Sequence, residues 1–487
     1  MRRYDVVIAG GGIAGLATAE MFARSGRRVL RLEKNERLCS ETSGMHHEWF
    51  HFGSLYSSFP RRQFLRTLAG GVEDLLEYYR DFDGMNLRLD GGGKLVKVEC
   101  ENAWFRPQNL EYIIATTRNE DFDLARVRGM RDLSGALYNR LLWNTAIRLF
   151  ICRHNRFYKH DWRRPGASSY IPRAGVFDYS RKMLGRFESE ELDLDPATHI
   201  TMPSYDGPMN AFNIIADLVR SLLSHGGEIL TSTAFGGYRR TGDGIEVARE
   251  GGEPVLAGKL ILASGAALGE HARGAVRVQS VRSPLLVAYP AVCSGNVVRL
   301  TPFTNQTVNH LRHSIDGHDY SLIGGGYFAS MNDEREAADV ECRLVEKARA
   351  VFPRLADARM QAVYFGTKSE VVASNGNRNY LYRIEEIEPD VVAVVPGKFS
   401  LAFSLAMTAF KRMTGELPKT CSGYDAELPV GQYVDVTRSK AMVWRFLAEE
   451  AAETLRPART VTLRRHGEGA AAVPTGAAAP RRSPRVA

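Results

Sequence analysis

The sequence predicts an α/β fold organised around a dinucleotide-binding unit, and three stretches carry that expectation. Residues 4–33, YDVVIAGGGIAGLATAEMFARSGRRVLRLE, read as an apolar strand, a glycine loop, a helix and a second strand. Residues 210–265 hold an amphipathic helix and a run of short strands that ends in the apolar KLILASG. Residues 391–410, VVAVVPGKFSLAFSLAMTAF, join an apolar strand to a helix through a Pro-Gly turn.

The first stretch is the most specific. Tyr4 to Ala9 is a short β-branched run, the pattern of a parallel strand covered on both faces. Gly10, Gly12 and Gly15 follow at GxGxxG spacing. Gly10 permits the tight turn, Gly12 lets main chain approach a pyrophosphate, and Gly15 lets helix and strand close together. Ile13 and Ala14 open a helix whose unpaired N–H groups and dipole suit phosphate, and Gly26 ends it. Val29 to Glu33 is the second strand. Glu33, with Lys34 beside it, falls about 20 residues after the loop, where a carboxylate accepts from ribose hydroxyls. An acid there disfavours a 2′-phosphate, despite Arg31 nearby, and leaves FAD or NAD. A lone GxGxxG is weak, but strand, glycines, helix, strand and acid in order make a Rossmann-type unit.

The second and third stretches extend the unit. NAFNIIADLVRSLLSHGG (210–227) repeats apolar residues at helical spacing and stops at glycine. GDG and EGG divide the following residues into a β-meander, and its last strand runs into Gly265. In the third stretch the helix begins near Lys398, a second helix start placed to face an anion.

Composition bounds the rest. The 487 residues are 44% hydrophobic and 25% charged, enough for two or three domains with sizeable cores. No apolar stretch of about 18 residues occurs, so no membrane span is expected. A strand beginning by Asp5 leaves no room for a signal peptide. Six scattered cysteines without a CxxC pair favour reduced thiols and a cytoplasmic location. The net charge of +8 is uneven: from Pro457 onward six Arg stand against one Glu among Ala, Pro, Gly and Thr. That composition predicts a disordered basic tail, 457–487, and leaves a mildly basic body for which no nucleic-acid partner is expected. The stretch RHNRFYKHDWRRPG (153–166) reads as a solvated loop before an anion or membrane patch.

At this point the order of elements resembles the D-amino-acid oxidase-like superfamily of FAD-dependent oxidoreductases. Within it the chain is most similar to L-2-hydroxyglutarate dehydrogenase-like proteins. The likeness rests on Ser43-Gly44, His51, Gly53, Tyr56, RRQFLRTLAGGVEDLLEYY (61–79), GGKLVKV (92–98), YDGPMN (205–210) and PGKFSLA (396–402). The chain departs from the pattern in an insertion, roughly MHHEWF, ahead of His51, and in Gly366-Thr367-Lys368 where the family has Gly-x-Arg. The resemblance implies FAD as cofactor. It implies a Rossmann-type FAD-binding domain of residues 1–95, 205–280 and 360–415, and a discontinuous antiparallel-sheet substrate domain of 96–204 and 281–359. A helical segment, 416–456, precedes the tail.

The same resemblance gives roles to residues. Thr42, Ser43 and Gly44 would lie against the flavin or its pyrophosphate, and Gly397, Lys398, Phe399 and Ser400 against its other end. Lys398 would place positive charge beside the reduced ring. His51 would act as acid or base. His46, followed by His47, is the candidate for a covalent flavin link, against the plainer alternative of a histidine hydrogen-bonded near flavin or substrate. HHE has poor spacing for metal ligands, so no metal is expected. For a substrate clamp the sequence offers Arg312 among Asn309, His310 and His313, with Lys368, Arg378 and Tyr380 as further candidates. Strand alternation sets His310 and Arg312 opposite Asn309 and His313. The reading that follows is an FAD-dependent dehydrogenase or oxidase of a CH–OH carbon in a small molecule, with the electron acceptor open. The alternatives are oxidation of a CH–NH bond in an amine or amino acid, and a flavoprotein that binds RNA or a partner through its tail.

Overall fold

The computed structural model describes residues 1–58, 62–89, 95–115, 191–194, 199–300, 307–372, 381–419 and 423–454. The stretch 153–166, Arg378, Tyr380 and the tail 457–487 lie outside the described residues.

Two eight-stranded sheets form the frame. In the first, β1 (Arg3–Ala9) pairs in parallel with β2 (Val29–Leu32) on one side and with Gly252–Leu262 on the other. Val6 to Ala9 are at most 1% exposed, because both faces are covered. Val6 and Ile8 face the helices, whereas Val7 and Ala9 face the layer that holds the meander. The meander strands Phe235–Thr241 and Gly244–Arg249 extend the sheet antiparallel from Gly252–Leu262. Glu228–Leu230 closes the β2 edge, and Val391–Val395 adds in parallel beside Leu260–Leu262.

Helix α1 (Ile13–Arg24) is buried along its whole length. It lies between the sheet and the helices Ala211–Ser224 and Ala402–Thr414, with Phe22 edge-on to Phe410 at 5.0 Å. The helix Ala211–Ser224 begins where Asn210 caps it, its side chain accepting from Asn213 N.

The second sheet is antiparallel except where Asn296–Arg299 runs parallel to Leu110–Ala115. Its long strand Val278–Tyr289 pairs with three neighbours, and the helix Glu334–Val351 buries Ala337, Val340, Leu344, Ala348 and Val351 at helical spacing against that sheet. Two boundaries differ from expectation. Met360–Val371, expected in the FAD-binding domain, pairs along its full length with Val278–Tyr289 in the second sheet. The parallel position beside Leu260–Leu262 is already filled by Val391–Val395. The strand from Val278 likewise starts two residues before the expected boundary at 280.

Both sheets belong to one compact unit, Met1–Arg445. A second unit starts at Phe446, and its described residues are helical.

Candidate functional site

A cavity of about 690 Å³ opens where the parallel strands of the first sheet end, the usual ligand position in such sheets. Gly10 to Ala14 line one part of it, and Val394 to Pro396 another. The amino-terminal glycine loop and the late Pro-Gly turn therefore share one cleft. Glu33, Lys34, Thr42, Ser43 and Gly265 line the same cavity.

Each glycine of the loop has a local reason. Gly10 sits at φ +118°, and a Cβ there would lie 2.4 Å from Ala263 O. A Cβ on Gly15 would lie 2.4 Å from Gly10 O. At Gly11, for which the motif assigns no role, a Cβ would lie 1.9 Å from Glu33 Oε2, so the carboxylate would have to move aside. Gly12 differs: a Cβ there would approach nothing closer than Ser43 Oγ at 3.4 Å. The loop is thus a tightly packed cradle with one open position beside the start of α1, which fits a pyrophosphate. Ser43 Oγ accepts from Ile13 N at 3.0 Å and locks the Thr42–Gly44 turn onto that helix start. Glu33 is buried at the strand end, its Oε1 accepting from Asn35 N at 2.7 Å. Lys34 pairs with Glu41 at the rim.

A carboxy-terminal segment straps this loop. Leu38 N donates to Tyr433 O at 2.7 Å, and Arg438 N donates to Gly44 O at 3.1 Å. Glu48, fully buried at φ +50°, is the anchor. It accepts from Ala211 N at 3.0 Å, from Thr437 Oγ1 at 2.7 Å and from Ser439 Oγ at 3.3 Å. Burial raises its pKa, but Lys440, His313, His46 and the Thr437 bond outweigh burial and hold the carboxyl below its ordinary value. Lys440 Nζ donates in turn to Asn210 Oδ1 at 2.7 Å.

The three histidines pack beyond this anchor. His46 Nδ1 accepts from Glu48 N at 2.8 Å, which assigns the neutral ring's proton to Nε2. Its ring is 5.0 Å from Phe399. His51 stacks on Trp49 at 4.1 Å, and His47 lies 5.5 Å from Trp49 and 6.1 Å from His51. Lys398 Nζ stands 5.3 Å from the Tyr56 ring, itself 6.0 Å from His51. Removal from water lowers all three imidazole pKa values, and the lysines add to it: Lys398 most for His51, Lys368 most for His47. Lys368 arrives on the strand Met360–Val371, which also carries Ser369 at the cavity and Tyr364, whose hydroxyl donates to His46 O at 3.3 Å.

The structure therefore gathers His46, His47, His51, Lys368, Lys398 and Phe399 into one cluster, and Ser43, Ser369 and Pro396, near these residues in sequence, line the cavity. Gly397 supplies the turn at φ +66°, and Ser400 is buried just after it, its Oγ without a hydrogen-bond partner among the described residues. Arg312 is not brought there. Its guanidinium donates to Ser294 O at 3.1 Å and pairs with Asp319. It shares the strand face of His310, which bonds Ser321 Oγ and packs 5.2 Å from Phe352, away from the cleft. The opposite face carries His313, stacked on Tyr320 and felt by Glu48. Among the described residues no group of three or more His, Cys, Asp or Glu converges as metal ligands.

Sequence reasoning missed Gly11, Glu48, Lys440 and Asp206. Asp206 was visible only as part of YDGPMN. Its carboxylate accepts from Phe52 N and Tyr112 OH, each at 2.5 Å, and so fixes the chain just after His51. Burial pushes its pKa up to about 6. Cys39, at the cavity wall, is an inert thiol pushed up to about 12 by burial.

The fold has relatives among known proteins. The profile of the family described as DAO, FAD dependent oxidoreductase, matches residues 5–395. The glycine oxidase of Geobacillus kaustophilus superposes with a TM-score of 0.58 at 17% identity, over 90% of this chain and 99% of that one. An L-alpha-glycerophosphate oxidase from Mycoplasma pneumoniae, solved with FAD bound, gives 0.57 at 16% identity over 87% and 97%. L-proline dehydrogenase from P. horikoshii gives 0.56 at 15% over 91% and 99%. At such identities these likenesses speak for the fold. Among curated proteins, a 149-residue stretch is 27% identical to the NAD(P)H sulfur oxidoreductase (CoA-dependent) of Pyrococcus abyssi. It spans 30% of this chain and only 28% of that protein's length.

Proposed function

Since this chain belongs to the DAO family of FAD-dependent oxidoreductases, we propose that it oxidises a CH–OH carbon of a small molecule, with His51 accepting the hydroxyl proton. One observation carries the reading: His51 is buried and stacked on Trp49 with His47 beside it, where removal from water and the Lys368 and Lys398 ammonium groups push both imidazoles toward the neutral form. A neutral imidazole takes the proton of an alcohol as its carbon loses a hydride. Two ammonium groups favour a neutral or anionic substrate over one that carries its own ammonium. Glu48, the carboxylate beside His46, is already engaged by the helix start, Thr437 and Ser439.

FAD, when bound, supplies the two-electron acceptor. Gly10 to Ala14, Ser43 and Glu33 are the residues to hold its pyrophosphate and ribose. Lys398 provides positive charge at the flavin end, and Trp49 and Tyr56 shield His51 from water. The likeness of residues 43–98 to L-2-hydroxyglutarate dehydrogenase-like proteins agrees with a hydroxy-acid substrate. A second reading, oxidation of a CH–NH bond, is favoured by two of the similar structures, a glycine oxidase and an L-proline dehydrogenase. The two readings separate on anaerobic bleaching of the bound flavin by matched pairs of 2-hydroxy and 2-amino acids. Bleaching by the hydroxy member of a pair is expected; bleaching by the amino members alone overturns the proposal. Acid precipitation of the same preparation tests His46, because a histidyl link leaves the colour in the pellet.

A further inference from the structure

Arg31 stands on β2 with no exposed surface. It shares its strand face with Val29, which packs with Val6 and Ile8 in the apolar layer beneath α1. A charge in such a layer is strongly unfavourable without a counter-ion. The described partners of this guanidinium are two carbonyls and a thiol. Nε donates to Gly10 O at 3.3 Å, Nη2 donates to Gly12 O at 3.0 Å, and the Cys39 side chain lies beside it. Nη1 has no hydrogen-bond partner among the described residues. Glu33 attracts the group through space without bonding it.

The middle carbonyl of the loop is held in the same way. Gly11 O accepts from Cys39 N at 2.9 Å and from Cys39 Sγ at 3.3 Å. Three consecutive carbonyls, Gly10 to Gly12, are thus occupied by donors within the protein. The N–H groups of Gly11, Gly12 and Ala14 have no acceptor among the described residues, and these residues line the cavity. A loop whose carbonyls are held back and whose N–H groups stay open is ready for an anion.

We propose that Arg31 is a positioning residue for FAD. It holds the Gly10 and Gly12 carbonyls away from the cavity and supplies, from behind the loop, the fixed positive charge that the pyrophosphate neutralises on binding. The proposal goes beyond the choice of substrate and stands whichever bond the enzyme oxidises.

The test uses full-length apo-protein, wild type and two variants, Arg31→Met and Arg31→Lys, titrated with FAD, ADP, inorganic pyrophosphate and riboflavin. Arg31→Met is expected to melt at or above the wild-type apo-protein, because an apolar chain replaces an uncompensated buried charge. It is expected to bind FAD and ADP about tenfold or more weakly, the scale of one charge-assisted contact, and to lose stabilisation by pyrophosphate. Riboflavin, which has no phosphate, is expected to bind all three proteins alike. Arg31→Lys keeps the charge without the fork and is expected to fall between the others. FAD and ADP affinities of Arg31→Met within twofold of wild type overturn the proposal. So does an equal loss for riboflavin, which marks general collapse of the site. A loss for FAD and ADP with pyrophosphate binding intact overturns it too, and assigns the charge to Glu33. Failure of Arg31→Met to fold makes Arg31 a core residue of the apo-protein and likewise ends the proposal.

Discussion

The glycine end of the site and its histidine cluster are built from different parts of the chain. At the glycine end the working groups are main chain, and Gly10, Gly11 and Gly15 each have an atom within 3 Å of where a Cβ would go. At the histidine end the working groups are side chains from well-separated segments: His46 to His51, the strand carrying Lys368, the Lys398 turn, and the 437–440 strap behind Glu48. One end is therefore sensitive to volume and φ, the other to charge and protonation. A substitution that conserves size is harmless at the first and damaging at the second, and the reverse also holds.

The largest expected effect tests the second half of that rule. His51→Asn keeps a planar polar side chain but removes the base. Turnover is expected to fall by about 10²–10⁴-fold, the usual contribution of general base catalysis, with FAD content and melting temperature unchanged. Steady-state rates beside a flavin spectrum check it. Turnover within tenfold of wild type would show that the proton leaves by another route. Next comes Glu48→Gln, again nearly isosteric. It leaves Lys440 buried without its counter-charge, so the folded state is expected to lose about 3–5 kcal/mol. Chemical denaturation measures this. The double variant Glu48→Gln/Lys440→Met is expected to recover most of the loss, since the pair is coupled; additive losses would mean that the two charges do not interact.

The glycine end yields a smaller and opposite contrast. Gly10→Ala forces a Cβ against Ala263 O at positive φ and is expected to destabilise by on the order of 2 kcal/mol. Gly12→Ala has room in the protein, so its apo-form is expected to melt like wild type while FAD binds more weakly. Identical behaviour of the two variants would erase the distinction between a glycine needed by the fold and one needed by the ligand.

The same contrast explains what sequence reading reached. GxGxxG at Gly10 to Gly15 is legible because a main-chain constraint maps directly onto residue type and spacing. Gly11 escaped because its constraint comes from where the Glu33 carboxylate settles. The histidines were visible as a cluster, and Ser43 and Lys398 through a resemblance. Glu48 was read only as part of a poor metal motif. Its partners Thr437 and Lys440 follow no local pattern, since they meet it only through tertiary packing. Arg312 shows the limit most clearly. Alternation correctly divided residues 309–313 into two faces, but no local signal says which face a sheet turns toward its neighbour. Met360–Val371 was misplaced for a related reason: strand character is local, whereas choice of sheet depends on which edge is still open.

The smallest effect concerns pH, and its sign follows from the direction of each shift. His47 and His51 have folded pKa values well below 6.5, so the unfolded chain binds protons first as pH falls through 6.5. Stability is then lost from about pH 6.5 downward, with a slope of at most about 1.4 kcal/mol per pH unit per histidine. Glu48 is also depressed, from 4.5, so its contribution is present above pH 4.5 and disappears only as pH falls below that value. Two windows result: an upper one belonging to the histidines and a lower one to the anchor. His51→Asn is expected to reduce the loss below pH 6.5 by one histidine's share, with His47 keeping its own, and Glu48→Gln to remove the loss that begins below pH 4.5, in melting temperatures taken from pH 7 to pH 3. The acid limb of kcat/KM is expected to lie below the ordinary imidazole range, because His51 stays unprotonated there. A limb near pH 6.5, unmoved in the His51 variant, would place the essential base outside this cluster.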